Sequence, residues 1–390
     1  MKHPAFSQPI WLRALLMLLA ASALLGGLWA GLARLGWALP RFSGQLPGQH
    51  GPLMVSGFLG TLICLERAVA LEHHVGRGWR SRLFYLAPLL VGLGGLLLFV
   101  TVPTAVSRTL ILLGSLGLCL IFIIIYRRQP TPDHAVMGLA ALLWLIGNAL
   151  WLMGTPLYEV LVWWSGFLIL TIAGERLELG RVLRHSRSIQ RAFYSTIALF
   201  LCGALLSLFS FTVGVRLAGA GLLALGLWLS RYDLARHTIR RQGLTRYIAA
   251  CLLLGYGWLI VGGGLWLFFG GQASAGPLYD ALVHTLLLGF VFSMIFGHAP
   301  IIIPAVLGTA VPYTRLFYLP LSFLHLSLLL RLVGDTGWWL SGTLAGWWQV
   351  RRWGGLLNEV SITLFLLLTV GAVLYERYAQ GQRHKKRRPS

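Results

Sequence analysis

Acidic residues are scarce. Asp and Glu number 11 in a chain of 390, against 32 Lys and Arg. Charged residues of either sign make up 11%, whereas 57% are hydrophobic and mean hydropathy is +0.75. So little charge does not cover the surface of a large soluble domain, and the composition is that of a polytopic helical membrane protein. Cysteine is also rare. Cys64, Cys119, Cys202 and Cys251 each fall in an apolar run, and none forms a CxxC or CxxCH pattern. That excludes a zinc ribbon, a c-type haem attachment and a disulfide framework, and predicts buried structural thiols. The apolar N-terminal run lacks a convincing cleavage site and reads as a retained first span. The net charge of +21 does not indicate nucleic acid, because the basic residues sit in short loops between apolar runs. That placement suits anionic lipid.

Twelve runs are apolar and long enough to span a bilayer, at about 10–32, 51–72, 83–103, 106–126, 134–154, 157–178, 191–213, 215–231, 246–270, 278–304, 315–334 and 354–376. Strongly basic loops follow the even-numbered spans: Arg77, Arg80 and Arg82; Arg127 and Arg128; Arg181, Arg184, Arg187 and Arg191; Arg231, Arg236, Arg240 and Arg241; and the tail Arg383–Arg388. By the positive-inside rule both termini are cytoplasmic, and spans 2, 6 and 10 run from outside to inside. Arg351 and Arg352 are the exception, on an outer stretch rich in tryptophan (Trp338, Trp339, Trp347, Trp348, Trp353) that reads as an interfacial loop.

Three spans echo one another. Span 2 carries GFLGTLICLERAVAL from Gly57, span 6 GFLILTIAGERLELG from Gly166, and span 10 GFVFSMIFGHAPIII from Gly289. Nine positions after each glycine stand Glu66, Glu175 and His298. Spans 6 and 10 also open alike, with Pro156-Leu157-Tyr158-Glu159 and Pro277-Leu278-Tyr279-Asp280. Equivalent helices four spans apart imply three four-helix units around a pseudo-threefold axis. The expectation is one all-α membrane domain over residues 1–390. Its spans 1–4 cover about 10–126, spans 5–8 about 134–231 and spans 9–12 about 246–376, with a basic tail at 377–390.

The chemistry-bearing residues centre on span 10. His284 and His298 are fourteen positions apart, and at 100° per residue they sit within about 40° of one face, ~21 Å apart along the axis. His50 stands at the outer start of span 2, at a depth matching His284. Two neutral imidazoles at one depth on repeat-related helices suit a six-coordinate haem iron. Gly51, Gly57 and Gly60 are expected to make room for a flat ring beside span 2. His298 is either a second haem ligand, with His134, His73 or His74 as inner partner, or part of a polar cluster with Glu66 and Glu175. The pairs Glu66-Arg67 and Glu175-Arg176 read as interfacial arginines snorkelling beside a carboxylate, with haem propionates or substrate anions as the arginines' alternative partners. Glu159 and Asp280 read as outer-end residues facing water. His325 lies in mid-span without a matched partner in sequence. Asn358 and Glu359 form an intramembrane polar pair. Arg331 has Glu359 or a haem propionate as its candidate partner.

This layout resembles the haem–copper oxidase subunit I superfamily and, within it, the NnrS family. His50 and His284 fall where that superfamily holds its low-spin haem. The run His284-Thr285-Leu286-Leu287-Leu288-Gly289 through Ser293-Met294 looks like a histidine-bearing helix of NnrS, and His50 followed by Gly57-Phe58 like its early histidine segment. The departures are that span 6 lacks a copper-ligating histidine, span 7 lacks a His-His pair and span 10 lacks HxH. Copper's usual ligands are therefore absent, and oxygen reduction is not expected. The resemblance implies a b-type haem, a redox or nitric-oxide-response role in a bacterial-type inner membrane, and a redox partner or further membrane subunit. The alternative is a cofactor-free, proton-coupled secondary transporter drawing on Glu66, Glu175, His298 and Glu359.

Overall fold

Proline and glycine set where many of the helices begin and end. The computed structural model describes residues 10–40, 45–75, 79–100, 103–344 and 346–386, and among these the side chains other than those at 73–75, 79, 80, 377 and 379–386. His73, His74, Arg77, Arg80 and the basic tail therefore lie outside the described residues or side chains.

Among the described residues there is no strand, and eleven helices are long and apolar enough to cross a membrane. In chain order the helices are α1 (Ile10–Arg34), α2 (Leu46–Glu72), α3 (Ser81–Leu97), α4 (Thr104–Arg128), α5 (Pro132–Leu152) and α6 (Leu157–Leu179). They continue as α7 (Arg187–Leu206), α8 (Phe211–Tyr232), α9 (Gly243–Phe269), α10 (Gly276–Leu307), α11 (Tyr318–Ser341) and α12 (Trp347–Lys386). The shorter apolar helix is α3. Pro132 opens α5 in its first turn, where a missing N–H costs nothing. Gly308 and Gly342 end α10 and α11 at φ +66° and +64°, a left-handed cap that suits a residue without Cβ.

Two compact units result, Met1–Val182 and Leu183–Ser390. The first holds α1–α6 and the second α7–α12. The divide thus falls between spans 6 and 7, whereas the sequence repeat places boundaries after spans 4 and 8. At those two places the flanking helices, α4 with α5 and α8 with α9, pack on each other within one unit. The helix surfaces turned outward are apolar, as at Leu18, Leu205, Leu326 and Leu367, which suits contact with lipid.

Two expectations are corrected here. The tryptophan-rich stretch around Arg351 is not a loop throughout. Helix α12 begins at Trp347 and carries Arg351, Arg352 and Trp353 in its first turns. The thiols also differ: Cys64 and Cys251 are buried, but Cys119 is half-buried and Cys202 is exposed.

Candidate functional site: histidines at π-helical segments

In the first unit, α2 opens as a 3₁₀ turn at Leu46–Gln49, passes through His50–Pro52, and widens into a π-helix over Leu53–Gly60 before resuming as α-helix. π-helical turns are rare and concentrate at functional sites. His50 lies at the helix start, where its ring reaches α1. Its Nδ1 is 2.7 Å from the Gly27 carbonyl. A carbonyl only accepts, so Nδ1 carries the proton, and in the neutral ring the lone pair is on Nε2.

The glycines of this segment do not form the expected slot. A Cβ on Gly57 would meet Ala23 at 2.9 Å and the Gly95 backbone at 3.4 Å, and one on Gly60 would meet the Trp144 indole at 2.4 Å. These glycines admit neighbouring helices rather than a cofactor. Gly51, next to His50, is the one of the three with open space beside it. Trp144 is held in place by stacking on Phe167 at 4.6 Å and by donating to Ser56 Oγ at 3.2 Å.

At the other end of α2, Arg67 bridges Glu66 at 3.1 Å and Glu175 of α6 at shorter range. The two glutamates paired by the sequence repeat are thus brought to one guanidinium. Snorkelling is not what occurs, because Arg67 is mostly buried and Arg176 is buried. A second ion pair escaped sequence reading: Arg13 donates to Glu72 at 2.6 Å, with both side chains buried, and Tyr85 donates to the same carboxylate at 2.7 Å. Its partners are 59 positions apart in the chain, and no short-range pattern links them.

In the second unit, α10 repeats the device. His284 is followed at once by a π-helix over Thr285–Phe292, and Gly289 is its fifth residue, as Gly57 is of the first. Here a tryptophan lies on that glycine, since a Cβ at Gly289 would meet Trp258 at 2.5 Å, whereas in the first unit Trp144 lies on Gly60 and not on Gly57. The shared face computed for His284 and His298 does not hold. A π turn closes on i→i+5, so each residue advances by less than the ~100° of an α-helix, and eight such residues separate the two rings in azimuth.

His284 Nδ1 lies 2.9 Å from the Asp280 carbonyl, and His298 Nδ1 lies 2.7 Å from the Met294 carbonyl. Both neutral rings therefore hold their lone pair on Nε2, as His50 does. His325 is the reverse case. Trp258 Nε1–H donates to its Nδ1 at 2.8 Å, so the proton of the neutral ring is on Nε2, and neither nitrogen offers a lone pair outward.

Asp280 does not face water. It is 8% exposed and receives Arg331 through two hydrogen bonds, at 2.7 and 2.8 Å. Arg351 stands 3.1 Å from Asp280 and 2.9 Å from Asp335, which is also buried. The Asp280 carboxylate is in turn 3.4 Å from His284 Nδ1. Close packing of α11 on α12 makes this possible. A Cβ on Gly334 would lie 2.5 Å from the Arg351 backbone nitrogen, and one on Gly354 would lie 2.5 Å from the Arg331 backbone nitrogen. Small residues at such crossings let backbones approach. The guanidinium of Arg351 also lies over Trp338 and Trp348, at 5.6 and 5.5 Å. Arg331 therefore has Asp280 as its partner, with half-buried Glu359 within its electrostatic reach. Asn358 bonds Ser327 across the same helix pair. Glu159 is half-buried at the start of α6.

Long apolar helices, an apolar outer surface and buried ion pairs define a multi-pass helical membrane protein. Residues 13–374 match a domain of unknown function, DUF8744, and the chain belongs to that family. No curated protein matches the sequence.

Proposed function

We propose that this is a twelve-span, haem–copper-oxidase-like membrane protein that binds b-type haem in a redox role, with His50 of the first unit and His284 of the second each a residue that would offer it a ligand. One observation carries the reading: each of the two histidines commits Nδ1–H to a main-chain carbonyl and opens a π-helical segment. A carbonyl-held Nδ1–H is the usual outer-shell arrangement of a metal-ligating histidine, since it fixes the ring and its tautomer. The donor set fits the group. Bound haem supplies one-electron chemistry at iron. The carboxylate of Asp280 strengthens the imidazole donor at His284, and Arg331 and Arg351 balance its charge. His298 has the same tautomer and is the candidate ligand for a second haem. His325 does not have it and is not a ligand.

Held by histidines, the group would serve electron transfer, and the NnrS resemblance adds a nitric-oxide response. Copper, which the NnrS resemblance admits, would have to bind without its usual histidines, since they are missing from spans 6, 7 and 10. The inner membrane, cytoplasmic termini and a separate redox partner belong to the same proposal.

A reduced-minus-oxidised visible spectrum of the purified protein tests it, with His50→Ala, His284→Ala and His325→Phe alongside. The expected result is a Soret band with sharp α and β bands in wild type and His325→Phe, lost in both alanine variants. Colourless wild-type protein from haem-replete cells overturns the reading. The proton-coupled transporter would then take its place, favoured by the Glu66–Arg67–Glu175 bridge, and proton-flux assays on Glu66, Glu175, His298 and Glu359 variants would follow.

A further inference from the structure

Three metal-binding side chains meet where α5 begins and α6 ends, within the first unit. Ligand atoms of Asp133, His134 and Glu178 lie within 4.8 Å of one another. Asp133 is buried, at 1% exposure; His134 is half-buried; Glu178 is exposed. Gly174 makes the approach possible, because a Cβ there would stand 3.1 Å from the Asp133 carbonyl.

The polar accounting inside the cluster is incomplete. Asp133 Oδ1 accepts from Arg181 Nη2, but among the described residues no donor meets Oδ2. A buried carboxylate oxygen without a donor is costly and needs an explanation. The nearest candidate is His134 Nε2, 3.9 Å from Oδ2. His134 Nδ1, however, lies 2.9 Å from the Gln129 carbonyl, with Thr131 Oγ1 also at 2.9 Å. That carbonyl only accepts, so Nδ1 holds the proton and Nε2 turns a lone pair toward Oδ2. Two lone-pair atoms, one of them on a buried anion, face each other with a second carboxylate beside them. A cation between them supplies what each lacks.

We infer that Asp133, His134 and Glu178 form a binding site for a divalent first-row transition ion of the zinc or manganese class. One imidazole and two carboxylates are the mixed nitrogen and oxygen donors such ions take, and the exposed side leaves room for water. With metal–ligand distances of about 2.1 Å, tetrahedral ligands stand about 3.4 Å apart. Ligand atoms already within 4.8 Å of one another reach that spacing by small rotations: the exposed Glu178 side chain turns in, and the half-buried His134 ring closes its 3.9 Å separation from Asp133 Oδ2. Arg181, 45% exposed, is the competing cation and has room to move away. The ion would clamp α5 to α6.

The test is zinc titration by calorimetry of the full chain in nanodiscs, beside Glu178→Gln, His134→Gln and Arg181→Ala. The first two change partly or fully exposed groups, and monodisperse elution confirms that each variant is folded. Other histidines also bind zinc, so the reading is the difference from wild type. The expected result is one site lost or weakened at least about tenfold in Glu178→Gln and in His134→Gln, and tightened in Arg181→Ala. Identical isotherms for wild type and the first two variants overturn the inference. So does a wild type that takes up no zinc at millimolar concentration.

Discussion

Asp280→Asn removes one charge and almost no volume, and it should be among the most damaging substitutions in the chain. The carboxylate takes two hydrogen bonds from Arg331, at 2.7 and 2.8 Å, and faces Arg351 at 3.1 Å. At 8% exposure, water does little to screen it. Without it, among the described residues, Arg351 keeps Asp335 at 2.9 Å and Arg331 keeps Glu359 within electrostatic reach, so Arg331 is left buried without its hydrogen-bonded counter-charge. Removing one partner of a buried pair costs about 3–5 kcal/mol, because the other charge stays desolvated. Gln at position 331 removes that stranded charge, so Asp280→Asn with Arg331→Gln should be less damaged than the sum of the two single variants, by about 2 kcal/mol or more. Equilibrium unfolding of the four proteins in one detergent, followed by tryptophan fluorescence, reads both numbers. If Asp280→Asn lies within about 0.5 kcal/mol of wild type, it behaves as an exposed residue and the charge accounting is refuted.

Gly354→Ala places a methyl 2.5 Å from the Arg331 backbone nitrogen and forces α11 from α12, so a loss of about 1–3 kcal/mol is expected in the same unfolding assay. Ala at Gly371, where a Cβ meets open space, should cost far less. Glu72→Gln leaves Arg13 buried beside a neutral amide, and a loss of about 3 kcal/mol should follow, against about 1 kcal/mol for Tyr85→Phe, which deletes one hydrogen bond to the same carboxylate. His325→Phe leaves the buried Trp258 indole N–H without its acceptor, and unfolding should register about 1–3 kcal/mol.

The membrane class, the approximate places of the helices and the equivalence of Glu66 and Glu175 were legible in the sequence, because each rests on local hydropathy or on a short repeat. What was hidden depends on partners far along the chain. Arg351 looked like a breach of the positive-inside pattern, since the two aspartates that neutralise it belong to other helices. The glycines at 57 and 60 looked like room for a ring, since nothing local announces Ala23, Gly95 or Trp144 on the other side. Helix phase was misjudged for a different reason. A fixed 100° step carries His284 onto the face of His298 only if the helix is uniform, and hydropathy does not register a change from i→i+4 to i→i+5 closure.

Which sequence feature do the π segments follow? Three helices carry the Gly-Phe motif with a polar residue nine positions on, yet α6 is regular through Gly166, while α2 and α10 widen through Gly57 and Gly289. The motif therefore does not dictate the widening. Nor does packing onto a glycine, since Gly147 and Gly174 meet tryptophan and methionine side chains at 2.8 and 2.5 Å within ordinary α-helix. What separates the two widened helices from the third is a histidine shortly before the segment, at position 50 or 284, with its ring proton committed to a main-chain carbonyl. A π turn shifts every residue beyond it in azimuth relative to those before it, so it sets the direction of a side chain at its start independently of the helix face that packs beyond. Two helices that share this costly geometry share, on this reasoning, the need to aim an imidazole, and α6, which has none to aim, stays regular.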